Sequence, residues 1–357
     1  MDSRSLDEIR KDIDEVDSQL VQLLNKRTDL AKEIGIVKGK GQKPFFTPER
    51  ERAVFESISA ISKGPLSPKQ LSNIFREIIS AARAAEQPMK ISFWGPEGTY
   101  SHLMAMQLFG ASSEYCPAES IEAVFRSLES GEIHYGVVPV ENSSAGVVPE
   151  TLDMFAVSNA KICAEAYLPI VHELLSWAES LDSVKRLYTG QQPLNQCRKW
   201  VQANLPQVEI IDTMPTSLAT QRALDDKEGA AIGNRFAAEK FGVPILAERI
   251  ADNTKNRTRF LVIGYNEPAP TGRDKTSFLF NLRNKPGELY RALGILDREG
   301  VNLSMIESRP AQNASFEYLF FCDCNGHRHD ENVKRAIASL KEYALETILL
   351  GSYPASE

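Results

Sequence analysis

Apolar residues recur at steps of three and four through the amino-terminal part of the chain. The recurrence predicts one long amphipathic helix from about Ser5 to Val37, about 50 Å at 1.5 Å per residue. Its apolar positions are Leu6, Ile9, Ile13, Val16, Leu20, Leu23, Leu30, Ile34 and Val37. So small a segment has too little chain to cover a helix of this length. One place on the stripe, between Leu23 and Leu30, holds Arg27.

Two shorter helices follow, and each has a recognisable start. Thr47 and Pro48 supply an N-cap and a first-turn proline for the second helix. Ser67 and Gln70 have the spacing of a capping box for the third. The amino-terminal segment is therefore predicted to be entirely helical.

Charged residues occupy stripe positions on all three helices. They are Arg27, Lys38, Arg50, Glu51 and Glu86. Arg27 and Lys38 lie about 20° apart round the helix and about 16 Å apart along it. Uncompensated buried charges cost several kcal/mol, and a single one is usually a snorkelling side chain. Several on three helices favour a bound dianionic small molecule.

Short apolar runs alternate with helical stretches in the middle of the chain, which predicts an α/β architecture. The runs are "KISFWG", "YGVVPV", "AAIG" and "RFLVIG", and the helical stretches include "SIEAVFRSLESG" and "SLATQRALDDKEG". "NEPAPTGRD", residues 266–274, is predicted to be a linker from its Pro and Gly content. Beyond it the order βαββαβ predicts a split ferredoxin-like motif.

Three loops of the α/β segment carry polar residues where ligands bind. "GPEGTYS", residues 95–101, leads from a strand into a helix, whose first N–H groups can receive an anion. "VPVENSSAG", residues 138–146, ends an apolar strand, where ligand sites of α/β folds gather. "NRTRFLVIG", residues 256–264, opens a strand with Thr258 and Arg259.

Composition narrows the class of protein. The 357 residues suffice for two or three domains, with 42% hydrophobic and 25% charged residues. A net charge of −7 without a Lys/Arg run argues against nucleic acid as the main partner. The charged amino terminus is unlike a signal peptide, and no apolar run is long enough to span a membrane. Five scattered cysteines form no disulfide framework, so we expect a reduced, cytoplasmic protein.

One short stretch mimics a metal site. Cys322, Cys324, His327 and His329 include the residue types that bind zinc. The two cysteines end an apolar strand and share one face, so packing accounts for them. We therefore predict no metal, and the chain carries no motif that calls for another cofactor.

The helical segment, residues 1–87, resembles the all-helical chorismate mutase family. "LDEIRKDIDEVDSQLVQLLNKRTDLAKEIGIVK", "PERERAV" and "IFREIISAARAAEQP" carry the resemblance. The resemblance implies a catalytic set made of Arg10, Arg27, Lys38, Arg50, Glu51 and Glu86. Arginines suit the two substrate carboxylates, while Lys38 and a protonated Glu86 suit the ether oxygen.

Arg10 points about 100° away from Arg27 on the same helix. It is therefore expected to serve the partner's site, as in the family's intertwined dimers. Three positions depart from the family pattern: Thr47 replaces an aspartate, Ala82 a serine and Glu86 a glutamine. A carboxyl donates a hydrogen bond only when neutral, so we expect acid pH to favour the mutase activity.

The α/β segment, residues 89–265, resembles prephenate dehydratase, through the triplet Thr258-Arg259-Phe260 and the "GPEGTYS" and "VENS" loops. The resemblance implies two α/β lobes around a cleft, like type 2 periplasmic binding proteins. Thr258 would assist departure of the ring hydroxyl, with Glu141 or an ordered water as the proton source. The implied substrate-binding residues are Thr99, Ser101, Asn142, Ser143, Gln192, Arg259 and Phe260. Where relatives have a histidine, two residues before Gln192, this chain has Gly190.

The last segment, residues 275–353, resembles an ACT domain, an amino-acid sensor. "KPGEL" (285–289) and "ESRP" (307–310) match its two effector motifs, although Glu288 stands where alanine is usual. The implied effector-binding residues are Gly287, Glu288, Leu289, Glu307, Ser308, Arg309 and Pro310. Pathway logic makes phenylalanine the effector, acting by a shift to a less active state.

Together these resemblances indicate a bifunctional enzyme that converts chorismate through prephenate to phenylpyruvate under phenylalanine feedback. Two alternatives stay open: a non-catalytic amino-acid sensor, and a dehydratase that prefers arogenate. The charged helical stripes favour catalysis over the sensor. The expected assembly is a homodimer or a dimer of dimers, and the sequence does not choose between them.

Overall fold

A computed structural model describes residues 4–38, 46–310 and 318–356 of the chain. The chain divides into two compact units. The helical unit comprises residues up to 89 together with 108–114, and the α/β unit comprises residues 90–107 and everything from 115 onward. Within the described ranges every helix is too short or too polar to cross a lipid bilayer.

The helical unit contains the three predicted helices. Their bounds are α1 Leu6–Lys38, α2 Pro48–Ile61 and α3 Pro68–Glu86. The capping box of Ser67 and Gln70 is confirmed, with both reciprocal bonds present. Thr47 is the N-cap residue of α2 as predicted, although its hydroxyl makes no capping bond. Pro48 at the first position remains the start signal.

The predicted apolar seam of α1 is uncovered in the single chain. Its nine apolar positions are 41–86% exposed, although each would gain by leaving water. The side of α1 that packs on α3 is instead formed by small or polar residues, which are half-buried: Arg27, Thr28, Ala31 and Gly35. Helix α1 thus buries the side that carries Arg27 and Gly35 within the unit and leaves its apolar side exposed.

The α/β unit begins with a mixed sheet in the order β2-β1-β3-β11-β5, with β4 added beside β3. Its strands are β1 Lys90–Trp94, β2 Glu114–Ala118, β3 Tyr135–Asn142, β4 Gly146–Val147, β5 Lys161–Pro169 and β11 Arg257–Gly264. The accompanying helices are α4 Tyr100–Phe109, α5 Ile121–Glu129 and α6 Pro149–Val157. Apolar runs predicted as strands form its centre, because β3 and β11 are buried along almost their whole length.

A second sheet, in the order β10-β6-β9-β7-β8, forms the other lobe. Its strands are β6 Glu173–Ser176, β7 Arg186–Thr189, β8 Glu209–Asp212, β9 Gly229–Gly233 and β10 Ile245–Ala247. Its helices are α7 Gln191–Gln196, α8 Arg198–Asn204, α9 Thr216–Asp225 and α10 Arg235–Phe241. The predicted α/β segment with two lobes is confirmed.

The carboxy-terminal part has the predicted βαββαβ order, and its sheet runs β13-β14-β12-β15. The elements are β12 Asp274–Leu282, α11 Glu288–Arg298, β13 Leu303–Pro310, β14 Tyr318–Asn325, α12 Glu331–Tyr343 and β15 Glu346–Pro354. β12 therefore takes Asp274 from the stretch predicted as linker.

Both faces of this last sheet are covered. Phe278, Phe280 and Cys322 pack with residues of α11 and α12 on one face. Leu279 and Phe321, one position along their strands, belong to the apolar core of the first sheet on the other. Because side chains alternate between the two faces, the ferredoxin-like part shares one apolar core with the first lobe.

Gly351 marks the closest approach between the two parts. A Cβ built on Gly351 of β15 would lie 2.3 Å from the carbonyl oxygen of Ile162 on β5. Backbone cannot move aside as a side-chain end can, so we expect Gly351→Ala to lower the free energy of unfolding by about 1–3 kcal/mol. Thermal and urea unfolding measure the change.

Gly294 of α11 provides the matched control, since a Cβ there meets nothing within 4 Å. Gly294→Ala should leave stability unchanged or raise it by up to about 1 kcal/mol, because glycine is unfavourable inside a helix. Equal stability of Gly351→Ala and the unsubstituted protein would contradict the close packing of β15 on β5.

Candidate functional sites

In the helical unit, α3 brings a carboxyl group to the side of α1 that carries Arg27. The Glu86 side chain lies over Gly35: a Cβ on Gly35 would be 2.6 Å from Glu86 Cγ and 3.0 Å from its Oε1. That oxygen is buried and has no hydrogen-bond partner among the described residues. Arg27, two turns before Gly35, is half-buried, and burial lowers its pKa. A buried carboxyl and a partly desolvated guanidinium thus flank the same stretch of α1.

Glu51 is held by an arginine that sequence reasoning missed. Arg83 Nη1 donates to Glu51 Oε1 at 2.7 Å, and Arg83 Nη2 donates to the Phe109 carbonyl at 2.8 Å. The guanidinium also lies over the rings of Phe46 and Phe109, at 5.7 and 5.6 Å from their centroids. Burial raises the pKa of Glu51, and the charge of Arg83 opposes this. Glu51 is therefore fixed within its own unit.

The remaining predicted residues of this site are Arg10, Arg50 and Lys38. Arg10 is exposed, and its Nη1 lies 3.6 Å from Asp7 Oδ1. Arg50 is also exposed, at the solvent side of α2. The side chain of Lys38 lies outside the described residues. Within one chain Arg27 and Glu86 lie on the same side of α1, whereas Arg10 and Arg50 are exposed.

In the first lobe, Thr258 and Asn142 lie opposite each other on β11 and β3. Asn142 Nδ2 donates to Thr258 Oγ1 at 2.8 Å, and both side chains are buried. A hydroxyl that accepts a hydrogen bond keeps its own proton to donate, and accepting one strengthens it as a donor. Asn142 Oδ1 meanwhile accepts from the backbone N–H groups of Ser144 and Ala145, which fixes the amide orientation.

The next residues on both strands face the other way. Arg259 lies opposite Glu141, so both side chains are on the face of the sheet away from Thr258 and Asn142. The structure therefore does not bring Glu141 to Thr258 as a proton source. An ordered water, the alternative proton source, is compatible with these side-chain orientations.

The guanidinium of Arg259 is hydrogen-bonded to other side chains of the protein. Its Nε donates to Glu165 at 2.7 Å, Nη1 to Asp323 at 2.5 Å and Nη2 to Tyr353 at 3.0 Å. Burial alone would lower the pKa of Arg259, but Tyr353, Asp323 and Glu165 outweigh it and raise the pKa. The predicted contact between this guanidinium and substrate does not fit the geometry. The sequence could not reveal the bond between Arg259 and Asp323, because the two residues lie far apart in the sequence.

A cavity of about 520 Å³ lies within the α/β unit. Its walls are mostly amide side chains and backbone, and the lining residues are Ser144, Ala145, Gln191, Gln192, Asn195, Gln196, Asp252, Asn253 and Asn256. Gln192 is the one predicted substrate-binding residue among them. Ser143 stands behind the wall, since its hydroxyl is 3.3 Å from Asn256 Oδ1 and accepts from the Arg257 N–H.

Amide groups dominate the electrostatics of this cavity. Asp252, its one charged lining residue, already accepts from the backbone N–H groups of Lys199 and Trp200. Gln196 Oε1 is held 2.6 Å from Nε2 of the buried His172, whose pKa is lowered by burial. A neutral His172 can thus orient the Gln196 amide. Sequence reasoning missed Gln196, Asn253 and Asn256, for which only a high local density of Asn and Gln gave a signal.

Gly190, where the resemblance places a histidine, begins α7 beside this cavity. A Cβ built there would lie 2.0 Å from Met214 Sδ, so the Met214 side chain fills the space. Met214 is 59% exposed and flexible. The space of the missing side chain is thus taken by a group that cannot transfer protons.

The other predicted substrate-binding residues are outside the cavity walls. Thr99 Oγ1 donates to the Pro96 carbonyl at 2.9 Å at the start of α4. Ser101 and Phe260 are buried at 5% and 2% exposure. These three residues shape the loop and the strand rather than line the cavity.

The two effector motifs lie at the start of α11 and on the edge strand β13. Gly287 has φ of 82°, a left-handed conformation that glycine adopts without strain. Glu288 binds Arg291 and the Tyr343 hydroxyl, both at 2.7 Å, and these hydrogen bonds lower its pKa. Arg309 forms a two-pronged ion pair with Asp153 of α6, at 3.0 and 2.9 Å, which raises the Arg309 pKa.

Burial alternates along β13, so its predicted effector residues divide between two faces. Glu307 and Arg309 are half-buried on the side towards α6, whereas Ser308 and Pro310 are exposed. Leu289 is 36% exposed. The groups free to meet an effector are Gly287, Leu289, Ser308 and Pro310.

Packing accounts for the cysteines of the zinc-like stretch. Cys322 and Cys324 are fully buried in the core beneath α11 and α12, and burial raises the pKa of Cys324 to about 12. His327 Nε2 lies 3.2 Å from the Pro268 carbonyl. Across the described ranges, no three Cys, His, Asp or Glu side chains are grouped to hold a metal ion.

Comparison with known proteins assigns each part to a family. Family models match as chorismate mutase type II over residues 9–87, prephenate dehydratase over 91–268 and ACT domain over 276–342. The bifunctional chorismate mutase/prephenate dehydratase of Aquifex aeolicus is 43% identical, covering 98% of each chain. That of Stutzerimonas stutzeri is 39% identical, covering 97% of this chain and 96% of its own.

A solved structure resembles the α/β unit. It is a prephenate dehydratase from Arthrobacter aurescens in complex with L-Phe, 34% identical with a TM-score of 0.71. The match covers 74% of this chain and 90% of the Arthrobacter chain.

Proposed function

This chain belongs to the bifunctional chorismate mutase/prephenate dehydratase family, and we propose that it converts chorismate through prephenate to phenylpyruvate. The observation that carries the proposal is the separation of its two sets of reactive groups. Arg27 and Glu86 lie in the helical unit, whereas Thr258 and Asn142 lie in the α/β unit. Each unit thus holds polar groups suited to one of two successive reactions.

The helical unit is proposed to perform the rearrangement. Conversion of chorismate to prephenate breaks one carbon–oxygen bond and forms one carbon–carbon bond within a single molecule, so no nucleophile is needed. The protein must hold the reactive conformer and stabilise charge on the departing ether oxygen. Arg27 supplies a cation for a carboxylate, and Glu86, whose buried Oε1 has no partner among the described residues, supplies a donor when protonated.

The pH profile tests the role of Glu86. Mutase activity should fall as pH rises and the Glu86 carboxyl loses the proton that it donates. Glu86→Gln keeps the shape and a permanent donor, so it should sustain activity to higher pH. The measurement is chorismate consumption from acid to alkaline pH for both proteins. Superimposable profiles would remove Glu86 from the proton-donating role.

The α/β unit is proposed to perform the dehydration. The ring carboxylate of prephenate leaves as CO₂, and its bonding electrons enter the ring as the ring hydroxyl departs. A proton delivered to that hydroxyl makes water the leaving group. We propose that Thr258 assists, and the proposal is supported by its hydroxyl, which accepts from Asn142 and keeps its own proton. An ordered water can replace that proton afterwards.

The cavity amides are proposed to bind prephenate. Gln192, Gln196 and Asn253 offer N–H groups, and the acid among the lining residues, Asp252, is already capped by backbone N–H groups. A carboxylate can therefore enter without meeting an unsatisfied negative charge.

Phenylalanine is the effector that we propose for the ACT part. The Arthrobacter relative is a dehydratase in complex with L-Phe. In this chain the exposed Gly287, Leu289, Ser308 and Pro310 are the proposed contacts. Glu288, Glu307 and Arg309, also proposed for this site, would act by supporting it, since Glu288 and Arg309 are paired within the chain.

The assembly is proposed to be a homodimer or a dimer of dimers. The exposed apolar seam of α1 supports this, because a second copy would cover it and would bring Arg10 to the partner's site. We place the enzyme in the cytoplasm, a compartment in which cysteine thiols such as the five of this chain stay reduced. A monomer by light scattering would contradict the assembly.

The deciding experiment incubates the purified protein separately with chorismate, prephenate and arogenate. We expect loss of chorismate and formation of phenylpyruvate from the first two, with phenylalanine lowering the dehydratase rate. Phenylalanine formed faster from arogenate than phenylpyruvate from prephenate would reassign the second substrate. Phenylalanine binding without turnover of any of them would indicate a non-catalytic sensor instead.

A further inference from the structure

A cluster of buried charges joins the strand that carries Thr258 to the ACT sheet. It consists of Arg259 and Glu165 from the first lobe and of Lys275, Ser277, Asp323 and Tyr353 from the ACT part. The ion-paired side chains of Arg259, Glu165 and Asp323 are 0–3% exposed. Two cations face two anions, so the cluster is internally neutral.

Every nitrogen of the Arg259 guanidinium is bonded within this cluster. Four groups accept from it, and three of them, Asp323, Tyr353 and Met305, belong to the ACT strands β14, β15 and β13. The positions of Asp323 and Tyr353 are set in turn by Ser277 of β12, whose Oγ lies 2.5 Å from Asp323 and 2.6 Å from the Tyr353 hydroxyl. Arg259 is thus connected directly to β13, β14 and β15 and through Ser277 to β12.

The other acceptor, Glu165, is also shared between the two parts. Its carboxylate accepts from Arg259 Nε at 2.7 Å and from Lys275 Nζ at 2.8 and 2.9 Å. A movement of the ACT sheet cannot leave this carboxylate unaffected, because Lys275 lies on β12. All groups of the cluster are buried, so water cannot replace a broken hydrogen bond. The hydrogen bonds of the cluster are therefore strongly coupled to one another.

The backbone at Arg259 is irregular where such a movement would act. The register of β11 on β3 shifts between Arg259 and Phe260, a bulge that immediately follows Thr258-Arg259. Thr258 is the neighbouring residue on the opposite face, and its hydroxyl accepts a 2.8 Å hydrogen bond from Asn142. We therefore expect a displacement of the Arg259 side chain to move Thr258 relative to Asn142.

From this geometry we infer that Arg259 is a positioning residue, which holds Thr258 in place for the dehydration and passes the state of the ACT sheet to it through Asp323 and Tyr353. The inference rests on the proposed function, because it specifies how the effector reaches the dehydratase site. Arg259 does not contact substrate in this account.

Asp323→Asn tests the inference, since it keeps the size of the side chain and removes the charge that anchors Arg259. With prephenate as substrate and the full chain as enzyme, kcat should fall about 10-fold while KM stays within about 2-fold, as expected when a transition-state interaction alone is weakened. Phenylalanine should still bind in calorimetry, and the inhibition that it produces should weaken at least about 5-fold.

Tyr353→Phe is the second variant, in case Asp323→Asn does not fold. It keeps the buried ring and removes only the hydroxyl that accepts from Arg259 Nη2, so the same changes are expected at smaller size. Leu279→Ala is the matched control. Leu279 is 1% exposed and belongs to the core shared by the two parts, but its side chain has no polar group that could bond to Arg259. It should lower thermal stability without changing kcat, KM or inhibition.

Three results would overturn the inference. The first is unchanged kcat and inhibition in folded Asp323→Asn or Tyr353→Phe. The second is Arg259→Lys with a raised KM and unchanged kcat, which would make Arg259 a substrate ligand. The third is Leu279→Ala behaving like Asp323→Asn, which would assign the effect to general loosening. If phenylalanine neither binds nor inhibits the unsubstituted enzyme, the effector proposal fails, while the kcat and KM comparison still decides the role of Arg259.

Discussion

Thr258→Val should reduce prephenate turnover by about 10²–10⁴-fold, the range that a positioned proton donor contributes. Valine matches threonine in shape, so strand β11 should keep its packing, and only the hydroxyl is lost. Asn142 Nδ2 then loses the acceptor it has at 2.8 Å. Chorismate rearrangement should be unchanged, because Thr258 and Arg27 lie in different units.

Thr258→Ser is the matched control for this prediction. It retains the hydroxyl and the bond from Asn142 but removes a buried methyl group, so most of the turnover should remain. Steady-state kinetics with prephenate, alongside a chorismate assay of the same preparations, measure both effects. Thr258→Val with more than about half the turnover of the unsubstituted enzyme would exclude the hydroxyl from the chemistry.

Arg27→Met should lower chorismate mutase activity by about 10²–10³-fold, the loss seen when one preorganised charged donor is removed. Methionine preserves much of the apolar stem that packs towards α3, so the helix should stay in place. The half-buried guanidinium, whose pKa burial lowers, is the described cation on the side of α1 that faces Glu86. Prephenate turnover should be unchanged.

Lys26→Met controls for the loss of positive charge. Lys26 precedes Arg27 on the same helix and is exposed, so its replacement changes the net charge equally without touching the site. Lys26→Met should keep full activity, as measured by the loss of chorismate absorbance. If the two variants were equally impaired, the effect would be one of overall charge and not of the Arg27 position.

Local signals in the sequence predicted the elements well. The capping box of Ser67 and Gln70 depends only on residues three apart, and the alternating apolar runs depend only on their own strand. The βαββαβ order followed for the same reason. Thr258 could be assigned to a strand start, and its partner Asn142 to a strand end, before their pairing on adjacent strands was known.

The electrostatic environments could not be predicted in the same way. Whether Arg259 points to a ligand or to Asp323 depends on which sheet covers its face, and that sheet begins beyond the linker. Arg83 was missed because its place on α3 alone suggests an arginine on the helix surface. Its burial depends on Glu51 and Phe109, which the fold brings beside it. Long-range packing decides such cases, and a single sequence carries little information about it.

The account claims above all that two independent sites act in succession, one in each unit. The direct measurement mixes purified Arg27→Met with Thr258→Val and supplies chorismate. Neither variant alone should form phenylpyruvate at an appreciable rate, whereas the mixture should form it, because prephenate released by Thr258→Val is consumed by Arg27→Met. A mixture that forms no more phenylpyruvate than the separate variants, while each retains its other activity, would contradict the account.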